Sequence, residues 1–206
     1  MLKSSFEETA STFTSNQSDI ISIWNDIVSA HTKKNRFYHN MTHLEFIWNE
    51  LSAVLSDMKP EILFATVFHD FVYDSSFKDN EVQSALVARK MLTKLNVSEP
   101  IIEKCCEIIT ATTHHTLHTD DLVNYFLDAD IAILGQSWPK YELYSSCIRK
   151  EYAHYPNIVY ASGRTNILKN FLKQTTLFNT KVFIDKYELK ARENISKELA
   201  SLSKWI

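Results

Sequence analysis

Three short segments of this 206-residue chain combine histidine or aspartate with apolar neighbours in a way that could bind a metal ion. The first segment reads Arg36-Phe37-Tyr38-His39-Asn40-Met41-Thr42-His43, and Asn40 or Thr42 could cap a helix that begins here. His39 and His43 are four residues apart, so they share one face if both positions are helical. Either histidine alone would indicate no more than a partly exposed side chain, and it is the pair that suggests a site.

The second segment is the doublet His69-Asp70, which lies in a stretch that is apolar on almost every face. The stretch Glu61 to Tyr73 therefore predicts a central buried helix. Aspartate is almost never fully buried without a partner, and burying an ionised carboxylate alone costs several kcal/mol. Two partners would compensate this cost: a structural hydrogen bond to His69, or a divalent cation shared by the imidazole and the carboxylate.

The third segment places Asp128 and Asp130 inside an apolar run that ends at Gly135. One aspartate could cap a helix, but two require a partner. Taken together, a histidine, a His-Asp doublet and a distant aspartate on separate helices supply two nitrogen and two oxygen ligands. Such a set leaves two octahedral positions for water or substrate and suits Mn, Fe, Co, Ni or Mg, with Zn possible.

The elements that must position these residues are all predicted to be helical. Apolar residues recur at helical spacing along nearly the whole chain. There are two glycines and four prolines, whereas strand-rich folds need many turn residues and dinucleotide or P-loop sites need clustered glycines. We therefore expect an all-α fold of about eight or nine helices, a single domain over 1–206, with the motifs in a core of about 21–180 and a C-terminal helix over about 181–205.

The composition bounds the partners and the compartment. The chain is 45% apolar and 23% charged with a net charge of −3, which is ordinary for a globular protein and argues against nucleic acid as a partner. Cys105, Cys106 and Cys147 form a poor disulfide framework, which favours a reducing compartment. No run approaches the roughly 20 apolar residues of a membrane span, and no signal-peptide pattern is seen. We expect a cytoplasmic protein with no membrane partner, and a homodimer remains possible.

The ordered motifs resemble those of the HD superfamily of metal-dependent phosphohydrolases, in particular its bacterial branch of predicted HD phosphohydrolases. The resemblance covers about residues 21–180. The motifs that carry it are Arg36-x-Tyr38-His39-Asn40-x-x-His43, Phe68-His69-Asp70-x-x-Tyr73-Asp74, Asp79-Asn80-Glu81-x-x-Ser84-Ala85, Ala111-Thr112-x-x-His115, Asp128-x-Asp130 and Gly163-Arg164. The first motif is also similar to that of cyclic-nucleotide phosphodiesterases, although this chain is shorter and lacks their large C-terminal nucleotide pocket.

The resemblance implies a role for each matching residue. The expected metal ligands are His43, His69, Asp70 and Asp130. Asp128 would not bind the metal ion itself but would orient one of its ligands or a bound water. His115 and its neighbour His114 would act in the same way or bind a second metal ion.

The remaining motif residues would act on the substrate. His39 would be the proton donor. Asp74 is the first candidate to orient or deprotonate the attacking water, because it follows Asp70 by four residues on the expected helix, and Glu81 is the second. Phosphate would be bound by Arg36 and Arg164, since guanidinium binds phosphate bidentately, unless these arginines are surface or capping residues. Tyr38 and Tyr73 could stack on a base, although helical aromatic residues more often belong to the core.

The function expected from this pattern is metal-dependent hydrolysis of a small phosphorylated substrate, a nucleotide or a related phosphomonoester. A divalent cation would activate the attacking water. Two alternatives stay open: a di-iron HD-type oxygenase with further ligands at His114 and His115, and a non-catalytic regulatory module that binds a nucleotide or a metal. A bare helical scaffold is the least favoured alternative, because it leaves Asp70 and Asp130 without partners.

Overall fold

A computed structural model describes residues 1–205, and every regular element in this part of the chain is helical. The all-α prediction is confirmed, with ten α-helices against the eight or nine expected. Short 3-10 helices follow α7 and α10, at Ala132–Gly135 and Ser203–Trp205. The α-helices are α1 (Leu2–Ser11), α2 (Gln17–His31), α3 (Met41–Val54), α4 (Pro60–Phe68), α5 (Asn80–Lys94), α6 (Glu99–Ala111), α7 (Asp121–Ile131), α8 (Trp138–Glu151), α9 (Asn157–Lys173) and α10 (Lys181–Leu202).

Helix α4 is the central element of the fold. It begins at Pro60, whose missing N–H costs nothing in the first turn, and its residues 62–68 are all buried. It packs against α1, α3, α5 and α6, which explains why its sequence is apolar all round. One continuous hydrophobic core extends from Leu2 in α1 to Leu202 in α10.

The end of α4 differs from the prediction. The helix stops at Phe68 instead of continuing to Tyr73. The Arg36 guanidinium donates to the carbonyl oxygens of Asp70, at 2.6 Å, and Phe71, at 2.9 Å. Because a distant side chain satisfies these backbone groups, the chain can leave the helix without burying unpaired carbonyls. The histidine of the doublet therefore lies at the C-cap and the aspartate beyond it.

Local capping sets the start of α3 and thereby the position of His43. The Asn40 side chain accepts a hydrogen bond from the Thr42 N–H at 2.9 Å, so Asn40 is the N-cap. His43 consequently lies in the first helical turn, and His39 lies just before the helix.

Within residues 1–205, none of the helices combines the length and the apolar composition needed to cross a bilayer.

The C-terminal helix α10 closes over the 3-10 helix that follows α7. A Cβ on Gly135 would lie 2.4 Å from the Tyr187 Cβ, so this contact requires glycine. The side-chain amide of Asn194, also on α10, donates to the carbonyl oxygens of Leu134 and Gln136, both at 2.8 Å. The chain after α7 is thus held by backbone contact and by buried hydrogen bonds.

Candidate functional site

Four side chains predicted as metal ligands converge where α3, α4 and α7 meet: His43, His69, Asp70 and Asp130. The Nε2 atoms of His43 and His69 are 3.2 Å apart. Asp130 Oδ1 lies 3.1 Å from the first of these nitrogens, and Asp70 Oδ2 lies 2.9 Å from the second. One ligand atom from each of His43, His69 and Asp130 lies within 4.8 Å of the others. We call these four residues the His/Asp cluster.

The neighbours of the His/Asp cluster orient it in the way that metal ligands are usually held. His69 Nδ1 lies 3.1 Å from the Thr66 carbonyl oxygen, and donation of its N–H to that oxygen turns Nε2 toward the cluster. The second oxygen of Asp130 lies 2.8 Å from His115 Nε2. A donor set of two imidazole nitrogens and two carboxylate oxygens fits a divalent first-row transition metal or Mg²⁺.

Electrostatics favours the ionised form of both carboxylates. Burial alone would raise the pKa of Asp70 and Asp130, but the neighbouring histidines hold the pKa of both groups well below the usual range. Burial lowers the pKa of His43. Burial would do the same at His69, but the Asp70 and Asp130 carboxylates raise its pKa to about 9. Ionised carboxylates are the form that binds a metal ion.

A buried carboxylate that the sequence did not single out, Glu151, holds His39. One oxygen of this residue accepts the backbone N–H groups of Tyr38, at 2.7 Å, and His39, at 3.0 Å. The other oxygen lies 2.6 Å from His39 Nδ1 and 2.8 Å from the Tyr73 hydroxyl. Glu151 ends α8 in the run Arg149-Lys150-Glu151, which as sequence indicates a solvated face, so nothing in the pattern pointed to it.

This arrangement leaves one nitrogen of His39 available. Nδ1 is bound to Glu151, and Nε2 has no hydrogen-bond partner among residues 1–205. Burial would lower the pKa of His39, but the charge of Asp70 and the hydrogen bond and charge of Glu151 raise it above the ordinary value. His39 is therefore suited to carry a proton near neutral pH.

A cavity of about 700 Å³ opens beside the cluster. Its wall includes His39, Asp70 and Asp130, so both the proton-carrying histidine and the carboxylates face the same space. Other lining residues that carry chemistry are Tyr38, Lys78, Glu81, His114, His115 and Arg164.

Arg36, predicted to bind phosphate, and Asp74, predicted to act on the attacking water, are placed differently from what these roles require. Arg36 is buried, and its NH1 and NH2 groups donate to the carbonyls of His39, Asp70 and Phe71, so it fixes the backbone around the cluster. Asp74 lies in the loop after α4, where its carboxylate accepts from the N–H and hydroxyl of Ser76. The helical face that was to carry Asp74 does not exist, because α4 has already ended.

Arg164 and Asp128 are also engaged in structural contacts. Arg164 lines the cavity, but its guanidinium is paired with the buried Glu198 at 2.9 Å. Asp128 accepts the N–H groups of Asn179 and Thr180, both at 2.7 Å, and so holds the two residues that precede α10. These contacts engage Asp128 away from the His/Asp cluster, to which Asp130 belongs.

The remaining predicted residues fall into two groups. Glu81, His114 and His115 line the cavity, with His115 bonded to Asp130. Both tyrosine rings pack against histidine rings. The ring centroids of Tyr38 and His43 are 4.7 Å apart, and Tyr73 stacks on His39 with a centroid distance of 4.2 Å. Tyr38 lines the cavity, and its hydroxyl is buried without a hydrogen-bond partner in the described part of the chain.

Compared with protein-family models, curated proteins and solved structures, the chain matches none of them significantly. The resemblance to HD phosphohydrolases therefore stays a prediction. The His/Asp cluster, His39 and the cavity beside them are the features that bear on the function.

Proposed function

We propose that the protein is a metal-dependent phosphohydrolase that acts on a small phosphorylated substrate, a nucleotide or a related phosphomonoester. The observation that carries the proposal is the His/Asp cluster beside a cavity whose wall includes its two carboxylates, Asp70 and Asp130, together with His39. A cation-binding set beside a histidine that can carry a proton is what hydrolysis of a phosphate ester requires.

The cation would be held by His43, His69, Asp70 and Asp130. When bound, such an ion lowers the pKa of a coordinated water and polarises a phosphoryl oxygen. The protein contributes a fixed set of ligands, since Thr66 and His115 hold two of them from behind.

His39 is the residue that protonates the leaving oxygen. Its Nδ1 is anchored to Glu151, so the ring presents Nε2 to the cavity. Of the carboxylates in the cavity wall, Glu81 lies outside the cluster and can accept the proton of the attacking water.

The charges of the cavity favour a substrate with a single phosphoryl group. Besides the protonated His39, which Glu151 pairs, its cationic side chains are Lys78 and Arg164, and Glu198 offsets the charge of Arg164. A di- or triphosphate would bring more negative charge than these groups balance. Tyr38 also lines the cavity, and burial raises the pKa of its hydroxyl and keeps it protonated, so it adds no negative charge there.

The test is phosphate release from a panel of nucleotides and sugar phosphates by metal-stripped protein reloaded separately with Mn, Fe, Co, Ni, Mg or Zn. Asp130→Ala removes a ligand, and Asp121→Ala makes the same change at an exposed position of α7. We expect metal-dependent release by the wild type and Asp121→Ala and its loss in Asp130→Ala.

Other outcomes would contradict the proposal in different ways. Failure of the wild type to bind any of these metals would refute the metal centre. One or two metal ions per chain without phosphate release would instead favour the oxygenase or the regulatory module, and oxygen uptake by the iron form separates these two.

His39 has its own test. His39→Gln should retain bound metal but hydrolyse alkyl phosphates at least 100-fold more slowly, while activated aryl phosphates are affected far less because their leaving groups need no proton. Equal losses for both kinds of ester would argue against His39 as the acid.

A further inference from the structure

An apolar groove of about 220 Å³ follows the first half of α9. Val159, Gly163 and Ile167 lie four residues apart and form one side of it. Tyr152 and Ile148 of the preceding segment form the other. Val159 and Ile167 are each 51% exposed, which is unusual for aliphatic side chains that line a concave surface.

The groove adjoins the cavity that opens beside the His/Asp cluster. Ile148, Tyr152, Arg164 and Ile167 line both spaces. Arg164 does not place a free charge at this junction, because Glu198 binds its guanidinium at Nε and NH2. A molecule that enters the cavity can therefore extend into an apolar environment without crossing an unpaired charge.

Gly163 keeps the groove open. A Cβ placed on this residue would meet nothing within 4 Å, so the space beside the helix is empty at this point. The residue lies inside α9, where glycine is the least favourable choice other than proline. A small residue at this position benefits a ligand that occupies the groove and not the helix itself.

We propose that the substrate is a phosphomonoester whose leaving group carries an apolar chain, with the phosphate at the His/Asp cluster and the chain along the α9 groove. This inference rests on the proposed function and narrows its substrate class. Burial of the chain against Val159 and Ile167 removes apolar surface from water on both sides, so each methylene that enters the groove adds to binding.

The first experiment compares n-alkyl phosphates from methyl to octyl, all below their critical micelle concentrations. We expect kcat/KM to rise about two- to fourfold with each methylene until the groove is filled. Gly163→Leu should fill the groove and reduce kcat/KM for octyl phosphate at least tenfold, with methyl phosphate unchanged. Ser162→Leu adds the same side chain at a neighbouring exposed residue that lines neither space, and it should behave as the wild type.

A second variant and a second measurement make the result independent of folding and of turnover. Val159→Gln keeps the size of a half-exposed side chain roughly constant but makes it polar, and it should weaken the chain-length dependence. Calorimetry measures the binding of octylphosphonate, which is not hydrolysed, to the metal-loaded wild type and Gly163→Leu.

The outcomes separate this inference from the proposed function. Hydrolysis that is independent of chain length, or a preference for nucleoside monophosphates that Gly163→Leu does not alter, would overturn the apolar chain and leave the phosphohydrolase in place. Octylphosphonate binding that Gly163→Leu abolishes, without hydrolysis of any ester, would support the groove and overturn the phosphohydrolase. Absence of both would overturn both.

Discussion

Replacement of Glu151 should reveal how firmly His39 is held. The carboxylate accepts four hydrogen bonds, from two backbone N–H groups, from His39 Nδ1 and from the Tyr73 hydroxyl. Glu151→Ala leaves all four donors without an acceptor, and the removal of one partner from a buried charged pair costs about 3–5 kcal/mol. Glu151→Gln keeps an oxygen for two of the four bonds, so we expect about half of this loss.

The assay is urea unfolding at pH 7 with a chelator present, so that no metal ion contributes to stability. A loss of about 2 kcal/mol for Glu151→Gln corresponds to a melting temperature about 4–8 °C lower in a protein of this length. The matched control is Glu142→Gln, at an exposed position of the same helix, which should change stability by less than about 0.5 kcal/mol.

The same variants change the titration of His39. Without the Glu151 charge, its pKa should fall, because burial then opposes the protonated form with less compensation. Imidazole chemical shifts measured by NMR against pH would show this. If Glu151→Gln matched Glu142→Gln in stability and left the pKa of His39 unchanged, the view that Glu151 anchors His39 would be refuted.

Three further predictions concern the fold and the cation. Gly135→Ala should destabilise the protein by about 1–3 kcal/mol, because the added Cβ would clash with Tyr187. Gly163→Ala should stabilise it by about 1 kcal/mol, because alanine favours the helix and its Cβ meets no neighbour. Urea unfolding measures both changes in the free energy of unfolding. Burial lowers the pKa of His31 from 6.5 to about 3, so between these pH values the unfolded chain binds a proton that the folded chain does not. The free energy of unfolding should therefore fall by about 1.4 kcal/mol for each pH unit below 6.5. His31→Leu should make this pH dependence weaker. A cation at 100 times its Kd should stabilise the wild type by about 2.7 kcal/mol, which raises the melting temperature by about 5–11 °C, and Asp130→Ala should show no such rise in thermal unfolding.

Much of the fold could be predicted from the sequence because local forces dictate it. Helical periodicity, proline at helix starts and a capping asparagine each act within a few residues. The end of α4 could not be predicted in this way. It depends on Arg36, which is more than 30 residues away from the Asp70 and Phe71 carbonyls that it binds.

In the candidate site, too, the residues that depend on local features could be predicted and those that depend on distant contacts could not. The expectation that buried aspartates need partners pointed to Asp70 and to the pair Asp128 and Asp130, because the cost of burying a charge can be read from apolar neighbours alone. The choice of Asp130 within that pair came from the resemblance. Glu151 escaped notice because its partners, the N–H groups of Tyr38 and His39, are more than 110 residues away in sequence. Asp74 was misjudged for a related reason, since its predicted role assumed a helix that a tertiary contact ends.

Because the residues of the His/Asp cluster are far apart in the chain, binding of a cation would be linked to the folding of the whole molecule. These residues come from α3, from the two positions that follow α4, and from α7, and His115 precedes α7, so no single segment forms the site. A bound cation should slow amide hydrogen exchange by one common factor wherever exchange requires global unfolding. Amides near Ser203–Trp205, at the exposed end of the described chain, open by local fraying and should exchange as before. Protected amides far from the cluster would thus measure the affinity of the cation.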